Sequence, residues 1–411
     1  MRDTYADMGV NSQKGYQGKL FSKAQSIFPS SFVDIHQAEW SNSWCYAHVG
    51  DGAGSKPVRS YLHWKETGDM TVFQGLAQDT AVMNTIDLMA SGLMPTSFID
   101  YISINGFHVP KDMLLKQINK GFENYFSVLA KYRIGFSREQ KVTVTKFCGG
   151  ETADLPYQTK TLDIAGALFG IQEKKKIITG DVQPGDIIIG VRSGGQTVYE
   201  DKPNSGIMCN GITLAGGSTM PWEIASKYLE VNCEKADALF LEKHNTHVYF
   251  GKDDPFVSRD DLQGLSLSEA ICSPTRMFEP VIKILLDEFR EYISAIVPNT
   301  GGGQTKCLRV GTNIHYIKTN LIEPDPIFGI IKKSTGESMY NMLQDFNMGC
   351  GVDVIVRRSK TATDDIEDLK DAIGKLGIDS QVVGKCERSD GSNKVTMETE
   401  YGTFEYPKKT A

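Results

Sequence analysis

The residues best equipped for chemistry stand in one stretch, Cys45-Tyr-Ala-His-Val-Gly-Asp-Gly-Ala-Gly-Ser-Lys56. An apolar run over 46–49 reads as a strand that stops in a glycine-rich turn. The turn carries one acid, Asp51, and one base, Lys56. Gly50, Gly52 and Gly54 allow positive φ and bring backbone N–H groups close to an anion. Lys56 would neutralise phosphate charge, and Asp51 would hold the accompanying magnesium through oxygen. The order Gly54-Ser55-Lys56 is not that of a Walker A loop, in which Gly-Lys precedes Ser or Thr. An ordinary tight loop is the competing reading of three alternate glycines.

Further acids recur at telling positions. A helical pattern over 79–92 turns Val82, Met83, Ile86, Met89 and Leu93 to a core. Asp79 and Asp87 lie on nearly one side of it, roughly 12 Å apart along the axis. That separation suits two metals, or a metal and a substrate, better than one shared ion; capping of the helix start is the alternative for Asp79. Phe147-Cys-Gly-Gly-Glu-Thr-Ala-Asp154 reads as a second strand-to-glycine turn, with Gly149 and Gly150 ahead of Glu151 and Thr152. Two such turns would frame a polyphosphate and its metal. A long glycine-rich loop over 193–211 ends in Asn210-Gly211, and Thr300-Gly-Gly-Gly303 makes a third turn.

The elements that must position these residues belong to a chain of 411 residues, long enough for two domains. Apolar residues make up 40% and charged residues 23%, as in a soluble globular protein. A net charge of −7 argues against general nucleic-acid binding. No apolar run is long enough to span a bilayer, and the N-terminus lacks a signal peptide's apolar core, so the cytosol is expected. Eight scattered cysteines form no C-x-x-C pair, which leaves reduced, buried thiols. His244 and His247 read as a helix end rather than a metal site.

In order, residues 1–40 read as a mobile arm with little core of its own. Residues 41–180 form one domain and 181–411 a second. The first holds a strand over 98–103, an amphipathic helix from Lys111 to about Lys131 and a strand over 162–170. The second opens with a strand over 187–191. It continues through a helix with Ile282, Leu285, Phe289, Tyr292 and Ile296 inward, a strand over 352–356, a helix over 364–376 and a hairpin over 395–406.

Six motifs occur in this order: Tyr5-Ala-Asp-Met-Gly-Val10, Asp51-Gly-Ala-Gly-Ser-Lys56, Gly149-Gly-Glu-Thr-Ala153, Ser273-Pro-Thr-Arg276, Thr300-Gly-Gly-Gly303 and Phe346-Asn-Met-Gly349. Together they resemble the phosphoribosylformylglycinamidine cyclo-ligase (aminoimidazole ribonucleotide synthetase) family, in its longer-loop branch, over nearly the whole chain. The resemblance implies a two-domain α+β fold. Its N-terminal α/β domain forms a barrel with its counterpart in a homodimer, and its C-terminal α+β sandwich domain completes the cleft. It implies cytoplasmic, ATP- and Mg2+-dependent closure of formylglycinamidine ribonucleotide to aminoimidazole ribonucleotide in purine biosynthesis, with no nucleic-acid or membrane partner. Carried over by position, Lys56, Asp87 and Glu151 are catalytic. Asp51, Gly52, Gly54, Lys56, Asp79, Gly149, Gly150 and Thr152 bind nucleotide, and Asp51, Asp87 and Asp79 hold magnesium. Asn210 and Gly211 take the substrate. Four features depart from the family: Ile86 in place of the usual Asn, Cys209 in place of Ser, Pro298 where a histidine often precedes the glycine turn, and an inserted 195–208 loop without its histidine. The missing loop histidine and Ile86 motivate a second expectation, a nucleotide-binding sensor or assembly partner without turnover.

Overall fold

The computed structural model describes residues 3–10, 26–138 and 141–408. Residues 11–25 of the expected arm lie outside those residues. Residues 26–38 correct the rest of that expectation, because Phe32 and Ile35 are buried in the core.

Strands β1 (His36–Gln37), β2 (Trp44–Gly52) and β3 (Met94–Ile104) precede a small separate pair, β4 (Gly135–Arg138) and β5 (Lys141–Val144). With β6 (Lys146–Asp154) and β7 (Leu162–Glu173) the first three make a five-stranded sheet of order β1-β2-β7-β3-β6. Only β3 and β6 run parallel. Alternation decides the two faces. Cys45 and Ala47 of β2, Phe98 and Ile102 of β3, and Ile164 and Leu168 of β7 are buried. Tyr46 and His48 point the other way, onto Phe169, beside an exposed Ile99 and Tyr101.

The buried face is covered by helices that follow α1 (Thr4–Asp7) and α2 (Lys56–Thr67), namely α3 (Gln74–Ala90) and α4 (Lys111–Lys131). Helix α4 buries Leu114, Ile118, Phe122, Tyr125 and Leu129, one apolar stripe of helical period. Helix α3 is buried on almost every side and lies between sheet, α4 and the C-terminal half. It begins five residues before Asp79, so that acid does not cap its start.

The C-terminal half adds α5 (Ile212–Thr219), α6 (Trp222–Ala225), α7 (Glu234–His244), α8 (Leu267–Cys272), α9 (Glu279–Glu288), α10 (Pro326–Thr335), α11 (Met339–Asp345) and α12 (Thr363–Gly374). Its strands are β8 (Ile187–Arg192), β9 (Ile293–Pro298), β10 (Ile314–Lys318), β11 (Cys350–Val356), β12 (Ser380–Arg388), β13 (Lys394–Thr399) and β14 (Gly402–Pro407). They form a seven-stranded sheet of order β14-β13-β10-β12-β8-β11-β9. The helix expected to run through Tyr292 and Ile296 ends earlier, and Ile296 belongs to β9, whose six residues are all buried. A fully buried strand and a buried helix segment look alike in periodicity, which explains the difference.

Candidate functional site

Three glycine turns from distant parts of the chain meet. The turn after β2 touches the one before α5: a side chain added at Gly54 would lie 3.7 Å from the Cys209 carbonyl oxygen. Beside them the Ser55 and Thr213 hydroxyls are 2.7 Å apart. Asn210 donates through Nδ2 to the Asn299 carbonyl (3.1 Å), and a side chain added at Gly301 would lie 4.0 Å from Asn210 Oδ1. Gly54, Gly211, Gly302 and Gly303 have φ of 59°, 67°, 100° and 50°, which explains the residue type at each. Helices α2 and α5 and the 3-10 segment Gly303–Arg309 all start here, and none has a side-chain cap on its first N–H groups. Converging, uncapped helix starts supply backbone donors and partial positive charge to an anion. Tyr5 of α1 reaches the Gly211 backbone; burial and the Asp345 carboxyl push its phenol up to about 12.

Lys56 is not open to a ligand. Its ammonium is fully buried, 2.8 Å from Asp79 Oδ1, and also donates to the Ser273 carbonyl. Burial pushes its pKa down, but Asp79, with Cys209 and Cys272 beside it, leaves it above the ordinary value. The same Asp79 oxygen accepts from the Thr275 N–H (2.6 Å), the Thr275 hydroxyl (2.8 Å) and the Cys209 thiol (3.1 Å). The pair therefore bolts α2 and α3 to the Ser273-Pro-Thr-Arg276 segment. Where Lys56 is expected to neutralise phosphate and Asp79 to hold magnesium, the structure pairs the two charges with each other and leaves Asp79 Oδ2 buried without a hydrogen-bond partner among the described residues.

Asp51 and the helix that carries Asp87 lie on the same side of the first sheet. Asp51 is exposed on β2 with Cys45 and Ala47 on its side of the sheet, where α3 lies. Asn84 donates to the Asp51 carbonyl (3.1 Å), and partly buried Asp87 is one turn further along α3. Glu151 does not join them. Gly149 and Gly150 sit within β6, not in a turn; Gly149 has φ 93° at an irregular register with β3. A side chain at Gly150 would collide with the carboxyl and carbonyl of Asp100. The glycines thus serve a bulge and a close strand approach. Asp51, Gly166, Asp100 and Gly150 lie in register straight across the sheet. Three strand spacings put Glu151 roughly 14 Å from Asp51. It also pairs with exposed Tyr101, on the opposite face, while Thr152 pairs with buried Ile102. Among the described residues no group of three or more His, Cys, Asp or Glu could hold a metal.

The inserted loop is held at its neck. Gly195 and Asn204 bridge, and Arg276, itself buried, bonds Glu200 through Nε (3.2 Å) and Nη2 (3.0 Å) and the Gly194 carbonyl through Nη1 (2.7 Å). Its tip lines a cleft of about 610 Å³ with Gln78, Tyr125 and Pro274, and none of the three turns lines that cleft. His244 and His247 bond Asp7 and Asp237, and all eight cysteines are free. No described helix is long and apolar enough to cross a membrane.

Residues 40–172, which hold the first sheet from β2 to β7 and the helices α2, α3 and α4, match the family model described as AIR synthase related protein, N-terminal domain. Over the whole length the chain is similar to phosphoribosylformylglycinamidine cyclo-ligases. That of Methanocaldococcus jannaschii is 29% identical, over 93% of this chain and 91% of its own. That of Caldicellulosiruptor saccharolyticus is 26% identical, over 94% and 98%. The chain is thus an enzyme of this ligase kind. Thiamine monophosphate kinase from Aquifex aeolicus, 13% identical, has the same fold, with a TM-score of 0.51 over 95% of this chain and 97% of that one.

Proposed function

We propose that the protein closes formylglycinamidine ribonucleotide to aminoimidazole ribonucleotide at the expense of ATP. The observation that carries this reading is the meeting of three glycine turns with uncapped helix starts, a site made for phosphate oxygens. Both reactants are phosphate esters. An amide oxygen leaves poorly, so ATP first phosphorylates it; the neighbouring amine nitrogen then attacks the same carbon and phosphate departs. The turns hold the phosphates and keep the substrate bent for intramolecular attack, which supplies alignment and charge stabilisation. Magnesium is usually held by one or two carboxylates plus substrate phosphates, and Asp51 with Asp87 fits that demand while Asp79 does not. Bound there, it would neutralise charge on the transferred phosphoryl group. Asn210 and Gly211 take the ribonucleotide.

Glu151, with Tyr101 and Ile99, belongs in this reading to the face that pairs with a second copy. Exposed apolar residues on an open sheet face support that dimer. Tyr101→Lys is expected to shift sedimentation from dimer to monomer; an unchanged dimer removes the face from consideration. Free thiols throughout fit a cytoplasmic setting.

The test is incubation of the purified protein with formylglycinamidine ribonucleotide, ATP and magnesium. Imidazole product with equal ADP is expected. Nucleotide binding without turnover would favour the sensor reading, which the relatives do not support.

A further inference from the structure

The Phe346-Asn-Met-Gly349 motif plays no part in the reaction above, yet it lies beneath both glycine turns that the C-terminal half brings to the site. The Phe346 ring packs under Gly211, where any side chain would strike it, and the Phe346 carbonyl presses on Gly303. Asn347 is fully buried. Its Oδ1 accepts from the Ser193 hydroxyl (2.9 Å) and the Gly349 N–H (2.8 Å). Its Nδ2 donates to the carbonyls of Gly206 (2.8 Å) and Ile207 (3.3 Å). Its own carbonyl accepts from Gln304 Nε2, next to the triglycine turn.

The side-chain amide thus has both donors and both acceptor positions occupied, by three stretches of chain. Gln304 is held in turn: its Oε1 accepts from Lys318 Nζ (2.8 Å), and Lys318 pairs with Asp353 (2.6 Å), both fully buried in the sheet. Strands β10 and β11, three places apart in the sheet and joined by this ion pair, are therefore connected through one glutamine and one asparagine to the neck of the inserted loop and to two ligand-facing turns.

We propose that Asn347 is the positioning residue of the site. It fixes the spacing between the turn at Asn210-Gly211 and the triglycine turn, and so the size of the phosphate ester that fits between them. The proposal rests on the reading that these turns hold a phosphorylated ligand. A side chain that merely filled the core would need none of this bonding, and an apolar residue of equal volume would serve it as well.

The test compares Asn347→Asp and the milder Ser193→Ala with Ile355→Ala, a buried strand substitution in β11 away from the turns. Amide hydrogen exchange is read on the ligand-free protein, and KM for the ribonucleotide and for ATP on the active one. Loss of one such bond corresponds to about a tenfold change. Asn347→Asp and Ser193→Ala are both expected to speed exchange at 207–211 and 301–304 together by about that factor and to raise KM for the ribonucleotide similarly, with kcat within about twofold. Ile355→Ala should do neither, even where its loss of stability is as large. Unchanged exchange at either turn overturns the proposal whatever the site binds. Faster exchange with unaltered KM overturns the claim about size. A wild-type protein that fails to bind the ribonucleotide refutes the proposed function instead, while the exchange data still decide this one.

Discussion

Replacing Asp79 by Asn separates a metal ligand from a structural bolt. In the wild type one carboxylate oxygen receives the Lys56 ammonium, a backbone N–H, a hydroxyl and a thiol, and both charged side chains are fully buried. The Asp79→Asn variant would leave the Lys56 charge in the core with little beyond the Ser273 carbonyl to answer it. Breaking a buried pair from one side costs about 3–5 kcal/mol. Lys56→Met should cost less, because the remaining carboxylate keeps three donors. Removing both charges, as Lys56→Met with Asp79→Leu, should restore part of the loss, giving a coupling of about 2–3 kcal/mol across the cycle. Lys56 titrates above its ordinary 10.5 despite burial, so its contribution is fully present below that value and is lost as pH climbs past it.

The assay is urea unfolding of the four proteins, followed by tryptophan fluorescence and far-UV circular dichroism, with magnesium–nucleotide affinity measured alongside. A bolt predicts a large drop in unfolding midpoint and a rescue in the double variant. A magnesium ligand predicts the reverse pattern. If Asp79→Asn unfolds within about 0.5 kcal/mol of wild type, the range of an ordinary surface change, and loses magnesium–nucleotide binding, the present account of Lys56 and Asp79 is wrong.

Other outcomes follow from the same packing. Burial pushes the Glu279 carboxyl up to about 8, partly opposed by its bond to Tyr125 (2.7 Å), so its contribution to stability is fully present below the ordinary 4.5 and fades as pH rises through 8. Glu279→Gln should therefore gain on wild type between about pH 5 and 9 in unfolding midpoint; parallel pH profiles would contradict this. Gly150→Ala, forced against Asp100, should cost about 1–3 kcal/mol of stability. Nucleotide affinity falling with stability intact would return that glycine to a phosphate cradle. Arg276→Lys cannot reproduce the fork to Glu200 or the bond to the Gly194 carbonyl, so limited proteolysis within 195–204 should speed up; an unaltered digestion pattern would show that the neck is held by other contacts.

What can be read from the residues differs with the range of the interaction. Helix α4 is legible to its ends, because its apolar stripe is a local property of 21 residues. The turns at Asp51 and Asn210 are legible as glycine turns, but nothing local says that they meet. Asp79 reads as a metal ligand because its partner Thr275 is 196 residues away and no spacing encodes such a bond. The glycines at 149 and 150 carry a usable signal that points the other way from a turn. Glycine inside a strand run also marks a bulge or a close backbone approach, and here the register with β3 shifts across the pair. Asn347 and the Lys318–Asp353 pair give no signal beyond membership of a motif, since a buried polar residue is indistinguishable in sequence from an exposed one.

These differences share a physical cause. The charges most expected to face the ligand, Lys56 and Asp79, are the ones least able to, because a bolt between two halves of a molecule needs strength where water is excluded. A phosphate can be held without them. Backbone N–H groups at helix starts carry no desolvation cost comparable to that of a buried ammonium, and their direction is set by the fold rather than by a flexible side chain. Specificity then depends on how rigidly the turns are spaced, which is why the load falls on buried asparagine, glutamine and arginine. The side chains that look inert in sequence carry the geometry, and the glycines beside them carry the binding.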